Sequence, residues 1–136
     1  MRIFLDANIL FSAGKSDGAM RGFLETLKSG GHTLVGDAYV REEARRNLEA
    51  KFPAAIPDFE HLLTKLELSE ALRCFLPAEL APELPEKDRP VLAAAIQRGC
   101  DVLLTGDKTH FGPLYGKNFE GVTIHSPASL ATHLSD

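Results

Sequence analysis

The stretches RIFLDAN at residues 2–8 and VLLTGDK at residues 102–108 decide the fold. Each contains a short apolar run with β-branched or aromatic residues, which is typical of a strand buried on both faces of a parallel sheet. Each run ends in an acid, Asp6 or Asp107. Because ligands of open parallel sheets bind beyond the carboxyl ends of the strands, neighbouring strands would place these two carboxylates side by side. Such a pair is costly unless a proton or a cation is shared, and oxygen ligands suit Mg²⁺ or Mn²⁺.

The composition predicts an ordinary globular protein. Of the 136 residues, 44% are hydrophobic and 25% are charged, which favours a single domain over residues 1–136. The chain enters its first strand without a basic start and a long apolar run, so we expect neither a signal peptide nor a membrane span, and a cytoplasmic location. The formal net charge of −4 argues mildly against a protein that holds nucleic acid by bulk electrostatics. Cations bound to an acidic site would reverse the field there.

Apolar spacing and turn residues predict that strands alternate with helices along the chain. Beyond the two strands above, we expect strands at 32–36 and 122–124 and a weakly indicated strand at 71–76. Helices are predicted at 19–29, at 37–51 with Asp37 as N-cap, at 58–66, from 88 or 90 to 98, and at 127–133. Residues 11–18 are predicted to be a loop because of their Gly and Ser content. This alternation indicates an α/β fold, a three-layer α/β/α domain with four or five mainly parallel strands.

The two cysteines carry no functional signal. Cys74 and Cys100 lie among apolar neighbours in the sequence, so they are predicted to be buried free thiols rather than a disulfide or a metal pair.

Four acids are the candidate functional residues: Asp6, Glu43, Asp88 and Asp107. Asp6 and Asp107 end strands, whereas Glu43 and Asp88 lie near the starts of predicted helices that would begin at the same edge of the sheet. All four could therefore converge on one cleft. Glu43 is preferred to its neighbour Glu42 because it borders the apolar stripe of its helix.

Each acid also has a purely structural interpretation. An aspartate after a strand is often a helix cap or a turn residue, and the Arg-Pro pair after Asp88 marks a helix start on its own. The two glutamates could simply complement the positive end of their helix. Asn8 and Thr105 could hold a water or position an acid, and they could equally be caps.

The histidines show no metal-ligand spacing such as a helical i, i+4 pair, so all are interpreted as surface or hydrogen-bonded residues. They are His32, His61, His110, His125 and His133. The sequence contains no P-loop pattern G-x-x-x-x-G-K and no C-x-x-C. Nucleotide binding by a P-loop and thioredoxin-like redox chemistry therefore lose support.

The order and separation of these motifs resemble the PIN-domain ribonucleases, in particular small bacterial VapC-like toxins of toxin–antitoxin pairs. The opening LDANIL at 5–10 is similar to the first strand and acid of that family. KDRPVLAAA at 87–95, followed by DVLLTGDK at 101–108, looks like its third and fourth acid motifs with their helix and strand. The helix predicted around 40–48 occupies the place of the second acid. The resemblance spans essentially the whole chain.

The resemblance implies a metal-dependent endoribonuclease in which Asp6, Glu43, Asp88 and Asp107 hold one or two Mg²⁺ or Mn²⁺ ions and water attacks the phosphate. It also implies RNA as substrate, an antitoxin protein as a partner, and a homodimer. Candidates for contact with the RNA backbone are basic residues: Arg41, Arg45, Arg46, Lys108 and Lys117. The doublet at residues 42–43 leaves the second acid ambiguous by one position.

Two other functions stay open at this point. A Mg²⁺-dependent phosphatase with an aspartyl nucleophile also uses an Asp at the end of its first strand. It usually has a second Asp two residues further on, where this chain has Asn8. A receiver-like or nucleic-acid-binding module would hold Mg²⁺ without turnover and would need a fixed lysine near the acids, for which Lys108 is the candidate.

Overall fold

The computed structural model describes residues 1–71 and 75–135, whose strands form one mostly parallel sheet. The strands are β1 (Arg2–Leu5), β2 (Thr33–Asp37), β3 (Glu67–Ser69), β4 (Val102–Leu104), β5 (Asn118–Phe119) and β6 (Val122–His125). The α-helices are α1 (Ala7–Lys15), α2 (Ala19–Ser29), α3 (Ala38–Lys51), α4 (Ile56–Leu63), α5 (Arg89–Gln97) and α6 (Pro127–Ser135). Short 3-10 turns cover Pro53–Ala55, Glu86–Asp88 and Gly112–Leu114.

The six strands lie in the order β3-β2-β1-β4-β6-β5, and all neighbours are parallel except β5 and β6. The chain moves outwards from β1 to β3 and then returns to the other side of β1 as β4. The strand order therefore reverses between β1 and β4, which is where open α/β sheets bind ligands. Leu5 pairs with Leu104, so both strands end at the same level and the residues that follow them lie together.

The two central strands supply the middle of the core. Ile3, Phe4 and Leu5 of β1 and Leu103 and Leu104 of β4 are fully buried, as expected of strands covered on both faces. Helices α1 to α4 pack against one another. Right-handed crossovers from β1 to β3 place them on one face of the sheet, and α5 lies on the opposite face. The α/β class and the mainly parallel sheet confirm the prediction.

Two parts of the sequence prediction are wrong. Within the described residues the sheet has six strands rather than four or five, and the edge strands β3 and β5 are too short to show apolar alternation in the sequence. Residues 11–18 are not all loop, since α1 extends through Lys15. Asp6 caps this helix by accepting a backbone hydrogen bond, and the buried residues Ile9, Leu10 and Ala13 give it an apolar face.

The other helices follow the prediction closely. The Asp37 carboxylate accepts a hydrogen bond from the Val40 amide at 3.1 Å and caps α3. Helix α4 begins two residues earlier than predicted because Pro57 fits its first turn. Half of the strand predicted at 71–76, namely residues 72–74 with Cys74, lies outside the described residues. Residues 71, 75 and 76 belong to no strand.

Cys100 is buried and free, as predicted. Burial raises the pKa of its thiol to about 11, which makes it unreactive at neutral pH. None of the helices in the described part of the chain is long and apolar enough to cross a membrane.

Gly14 in α1 faces Leu48 of α3 and Phe59 of α4, and an added methyl group there would lie 3.0 Å from Phe59 Cδ1 and 3.2 Å from Leu48 Cδ1. Both side chains are fully buried. We expect Gly14→Ala to lower the free energy of unfolding by about 1–3 kcal/mol through overpacking, although alanine has the higher helix propensity.

Gly22 in α2 is the matched control, because a methyl group there would meet nothing within 4 Å. Gly22→Ala should raise the free energy of unfolding by up to ~1 kcal/mol. Urea unfolding measures both variants, and an equal gain in the two would show that the contact at Gly14 relaxes freely.

Candidate functional site

Asp6 is the buried centre of a group of acids at the carboxyl end of the sheet. It directly follows β1 and is only 5% exposed. Its Oδ1 accepts a hydrogen bond from the Ala7 amide at 2.8 Å, which caps α1. Its Oδ2 accepts hydrogen bonds from the Thr105 hydroxyl at 2.8 Å and from Asn8 Nδ2 at 3.1 Å. Asp6 is thus a helix cap, in agreement with its purely structural interpretation. Its second oxygen is directed toward β4.

Thr105 and Asn8 hold the ends of β1 and β4 against each other. Thr105 is fully buried, and its Oγ1 also accepts a hydrogen bond from the Asp107 amide at 3.2 Å. Asn8 Oδ1 accepts a hydrogen bond from the Gly106 amide at 2.7 Å. Both predicted supporting residues therefore contact Asp6 and reach the segment that carries Asp107.

Asp88, Asp107 and His110 form a second group beside Asp6. His110 Nδ1 lies 2.9 Å from Asp88 Oδ2 and 3.0 Å from Asp107 Oδ2. The His110 amide donates a hydrogen bond to Asp107 Oδ1 at 3.0 Å, which fixes the turn after β4. One ligand atom of each residue lies within 4.8 Å of the other two, an arrangement that could hold a metal ion.

Two potential ligand atoms of this group contact each other at 2.9 Å without a hydrogen bond of good geometry. Asp88 Oδ2 and His110 Nδ1 are buried, yet neither makes a hydrogen bond of good geometry within the described residues. Buried polar atoms normally make well-formed hydrogen bonds, and a contact that lacks one calls for an explanation such as an ion. The donor set of two carboxylates and an imidazole therefore fits a divalent cation.

Glu43 approaches the same acids from α3. It is half-buried, and its negative charge raises the pKa of Asp6, as does that of Asp88. Burial and then the charges of Glu43, Asp88 and Asp6 raise the pKa of Tyr39. The Tyr39 hydroxyl donates a hydrogen bond to the Lys87 carbonyl at 2.8 Å. This bond ties α3 to the turn that carries Asp88.

The site is strongly acidic. Burial raises the pKa of Asp6 to about 6, although hydrogen bonds from Thr105 and Ala7 oppose the shift. Burial also raises the pKa of Asp88 against the opposing charges of His110 and Lys87. Within residues 1–71 and 75–135, no lysine or arginine makes an ion pair with any of the four acids. Among the described residues, no lysine or arginine therefore neutralises this group through a direct ion pair.

The basic residues predicted to contact RNA lie in different environments. Arg41 pairs with its neighbour Glu42 at 3.2 Å. Arg45 pairs with Glu60 of α4, so its guanidinium is directed away from the acids. Lys108 is exposed next to Asp107.

His110 is the functional candidate that the sequence interpretation missed. The sequence indicates only a surface or hydrogen-bonded histidine here, whereas the structure places His110 against Asp88 and Asp107, where it could be a metal ligand. Its i, i+3 spacing to Asp107 was the available signal. The interpretation holds for His125, whose Nδ1 lies 2.9 Å from Ser129 Oγ.

Tyr115 also borders the acids without a signal in the sequence. Its hydroxyl donates a hydrogen bond to the Thr105 carbonyl at 2.9 Å. Burial and then the charges of Asp107 and Asp6 raise its pKa. Tyr115 therefore supports the segment after β4 by holding the Thr105 carbonyl.

Residues 14–18 read GKSDG, which has the G-x-S-x-G spacing of the nucleophile elbow in α/β-hydrolases. That motif requires a strand before the serine and a helix after it. Here the stretch begins in the last turn of α1, and Ser16 is the C-cap of that helix. The stretch therefore does not indicate serine-hydrolase chemistry.

The sequence matches no protein-family model and no curated protein, whereas the fold matches solved structures. VapBC2 from Rickettsia felis, bound to a DNA fragment from its promoter, aligns at 18% identity with a TM-score of 0.67, covering 93% of this chain and 98% of that chain. VapC20 of Mycobacterium tuberculosis, a sarcin–ricin loop cleaving toxin, aligns at 14% identity with a TM-score of 0.60, covering 87% and 97%. VapBC-1 from nontypeable Haemophilus influenzae aligns at 14% identity with a TM-score of 0.58, covering 94% and 99%.

The fold of this chain is therefore that of a PIN domain. More narrowly, it is a VapC-like PIN-domain fold, which confirms the expectation drawn from the motifs.

Asp6 should give the metal-free protein a characteristic pH dependence of stability. Because its pKa of about 6 in the folded state lies above the ordinary value of 3.8, the folded state binds more protons than the unfolded state between these values. Stability must then fall as the pH rises through that range, by on the order of 2–3 kcal/mol. We expect Asp6→Asn, unfolded with urea in EDTA, to lack this fall.

The exposed Asp17 offers a control of the same residue type. Asp17→Asn should keep the wild-type profile. If Asp6→Asn also kept it, the pH dependence would belong to other groups.

Proposed function

We propose that the protein is a metal-dependent endoribonuclease and the toxin of a toxin–antitoxin pair. The observation that carries the proposal is that Asp6, Glu43, Asp88 and Asp107 approach one another at the strand-order reversal of a VapC-like fold. One fold neighbour is a sarcin–ricin loop cleaving toxin, which supports RNA as the substrate class. The substrate bond would be an RNA phosphodiester.

Asp88, Asp107 and His110 are the residues proposed to hold Mg²⁺ or Mn²⁺. When bound, the cation would activate a water and stabilise the charge that develops on the phosphate. Asp6 and Glu43 complete the acidic group and increase its affinity for a cation. No side-chain nucleophile is needed.

The neighbouring residues would keep the acids in a productive orientation. Thr105 and Asn8 restrain Asp6 Oδ2 by hydrogen bonds, so this carboxylate does not rotate freely. Tyr39 restrains the turn before Asp88 through the Lys87 carbonyl. Such fixed geometry matters because phosphoryl transfer depends chiefly on positioning and electrostatic stabilisation.

The same proposal includes the partners. An antitoxin protein would bind the chain, which is supported by fold neighbours solved as VapBC assemblies. Residues 1–136 would form one nuclease domain that acts as a homodimer in the cytoplasm, where its RNA is found.

The first test is cleavage of an end-labelled single-stranded RNA with Mn²⁺, with Mg²⁺, or with EDTA. We expect wild-type cleavage with either ion and none in EDTA, because the acids need a cation to act on phosphate. The Asp6→Asn/Asp107→Asn double variant should lose cleavage by roughly 100-fold or more, since it removes two carboxylates of the group. Product length on a denaturing gel is the readout.

Glu42 and Glu43 form a matched pair for the same assay. Glu43→Gln should lower cleavage by about 10-fold or more, whereas Glu42→Gln should not, because Glu42 is exposed and paired with Arg41. Equal effects would contradict the assignment of the second acid. Failure of the wild type to cleave single-stranded and structured RNA, while it binds Mn²⁺, would instead favour a non-nuclease metal-binding module, and phosphate release from a phosphomonoester would favour a phosphatase.

His110 should also influence which metal binds. Mg²⁺ prefers oxygen ligands, whereas an imidazole nitrogen favours first-row transition ions. We expect His110→Gln to weaken Mn²⁺ binding by about 10- to 100-fold and Mg²⁺ binding less, as measured by isothermal titration calorimetry. His61→Gln is the control because His61 is exposed on α4 and is not part of the acidic group. Unchanged Mn²⁺ affinity in His110→Gln would remove this residue from the ligand set.

A further inference from the structure

Two phenylalanines and two lysines cluster at the C-terminal ends of α1 and α3. We call them the aromatic–lysine cluster: Phe11, Lys15, Lys51 and Phe52. The two ring centroids lie 5.9 Å apart. Lys15 Nζ lies 5.5 Å from the Phe11 centroid and 6.0 Å from the Phe52 centroid, and Lys51 Nζ lies 5.7 Å from the Phe11 centroid. Phe52 is 44% exposed, so an aromatic ring faces solvent beside two cations.

The lysines of the cluster lack an anionic partner within the described residues. Several other cations of the chain are neutralised by ion pairs, namely Arg2 with Glu67, Arg21 with Asp58, Arg45 with Glu60 and Lys65 with Glu25. None of the ion pairs formed by residues 1–71 and 75–135 includes Lys15 or Lys51. In a chain of net charge −4, the cluster is therefore a locally positive surface built on aromatic rings.

The cluster is connected to the acidic site along the outer face of α1. Asn8, Phe11 and Lys15 follow one another at spacings of three and four residues in this helix, so they lie on one face. All three are exposed or half-buried, and Asn8 hydrogen-bonds to Asp6. At the rise of an α-helix, Asn8 and Lys15 are separated by about 10 Å. A nucleic-acid strand held at the acids would reach the cluster within a few nucleotides.

We propose that the aromatic–lysine cluster binds a base and the adjacent phosphates of the single-stranded RNA substrate. The inference rests on the proposed ribonuclease function and adds a place where the substrate is held. Stacking on an aromatic ring accepts any base, because every base has a π face. The two lysines supply phosphate contacts. RNA offers both a flat apolar face and closely spaced anions, which is the combination that the cluster matches.

The test measures the affinity for a short fluorescein-labelled oligouridylate by fluorescence anisotropy, in EDTA so that no metal-dependent cleavage occurs. Phe52→Leu keeps an apolar side chain at an exposed position but removes the ring, and it should raise the Kd by about 5- to 20-fold. Lys15→Gln/Lys51→Gln should lower the slope of log Kd against log salt concentration by about 1.4, since each phosphate contact on a single strand contributes about 0.7.

Matched controls are available elsewhere on the surface. Phe75→Leu removes a ring that is 88% exposed, and Lys28→Gln/Lys65→Gln removes two charges between α2 and the end of α4. Neither should change RNA affinity or the salt slope. An RNA that carries 2-aminopurine reports stacking directly: its fluorescence should be quenched by the wild type and less so by Phe52→Leu.

The outcomes separate this inference from the ribonuclease proposal. If Phe52→Leu and the Lys15/Lys51 variant bind the oligouridylate like the wild type, the inference is overturned even if the wild type cleaves RNA in Mn²⁺. The inference would likewise be overturned if these variants kept their RNA affinity but lost binding of poly-glutamate, an acidic polypeptide. The cluster would then be assigned to a protein partner. Cluster-dependent RNA binding without cleavage in Mn²⁺ would support the inference while overturning the ribonuclease proposal.

Discussion

The pairing of β1 with β4 is the constraint on which the rest of the structure depends. Both strands are buried on both faces, so a slip of one residue would turn their apolar side chains out of the core. The Asp6 amide donates to the Leu104 carbonyl at 3.0 Å, which continues the pairing to the last residue before the site. Asp6 and Thr105 therefore lie at one level. Because the strands are parallel, α3 also begins at this edge and brings Glu43 to it.

This arrangement places charge where the fold alone would disfavour it. Asp6 is buried next to other carboxylates, and burial together with the charges of Glu43 and Asp88 raises its pKa. The protein offsets part of that cost with donors that carry no charge, the Ala7 amide, the Thr105 hydroxyl and the Asn8 amide. Donors of this kind orient a carboxylate without neutralising it. This arrangement is consistent with the proposed metal-dependent chemistry, and it lowers the stability of the metal-free protein.

The parts of the fold that the sequence predicts are those encoded locally. Buried strands appear as apolar runs, so β1, β4 and the aspartates at their ends can be recognised in the sequence. The apolar stripe of α3 correctly predicts that Glu43 is more buried than Glu42. The extent of α1 is obscured because serine and glycine occur within a helix whose Gly14 is required by close packing. The contact of His110 with Asp88 joins residues far apart in sequence, and so does the pairing of Arg45 with Glu60. Such contacts follow from the folded topology and leave little trace in local spacing.

The hydrogen bonds of Asn8 separate two enzyme chemistries that start from the same kind of strand. Its Nδ2 donates to Asp6, and its Oδ1 accepts from the Gly106 amide, so both ends of the amide are in use. An aspartate at this position would replace the amide donor with a second carboxylate about 3 Å from Asp6. Aspartyl-nucleophile phosphatases would require such a pair of aspartates. The identity of one terminal atom, nitrogen rather than oxygen, therefore decides whether this strand end can carry two adjacent carboxylates.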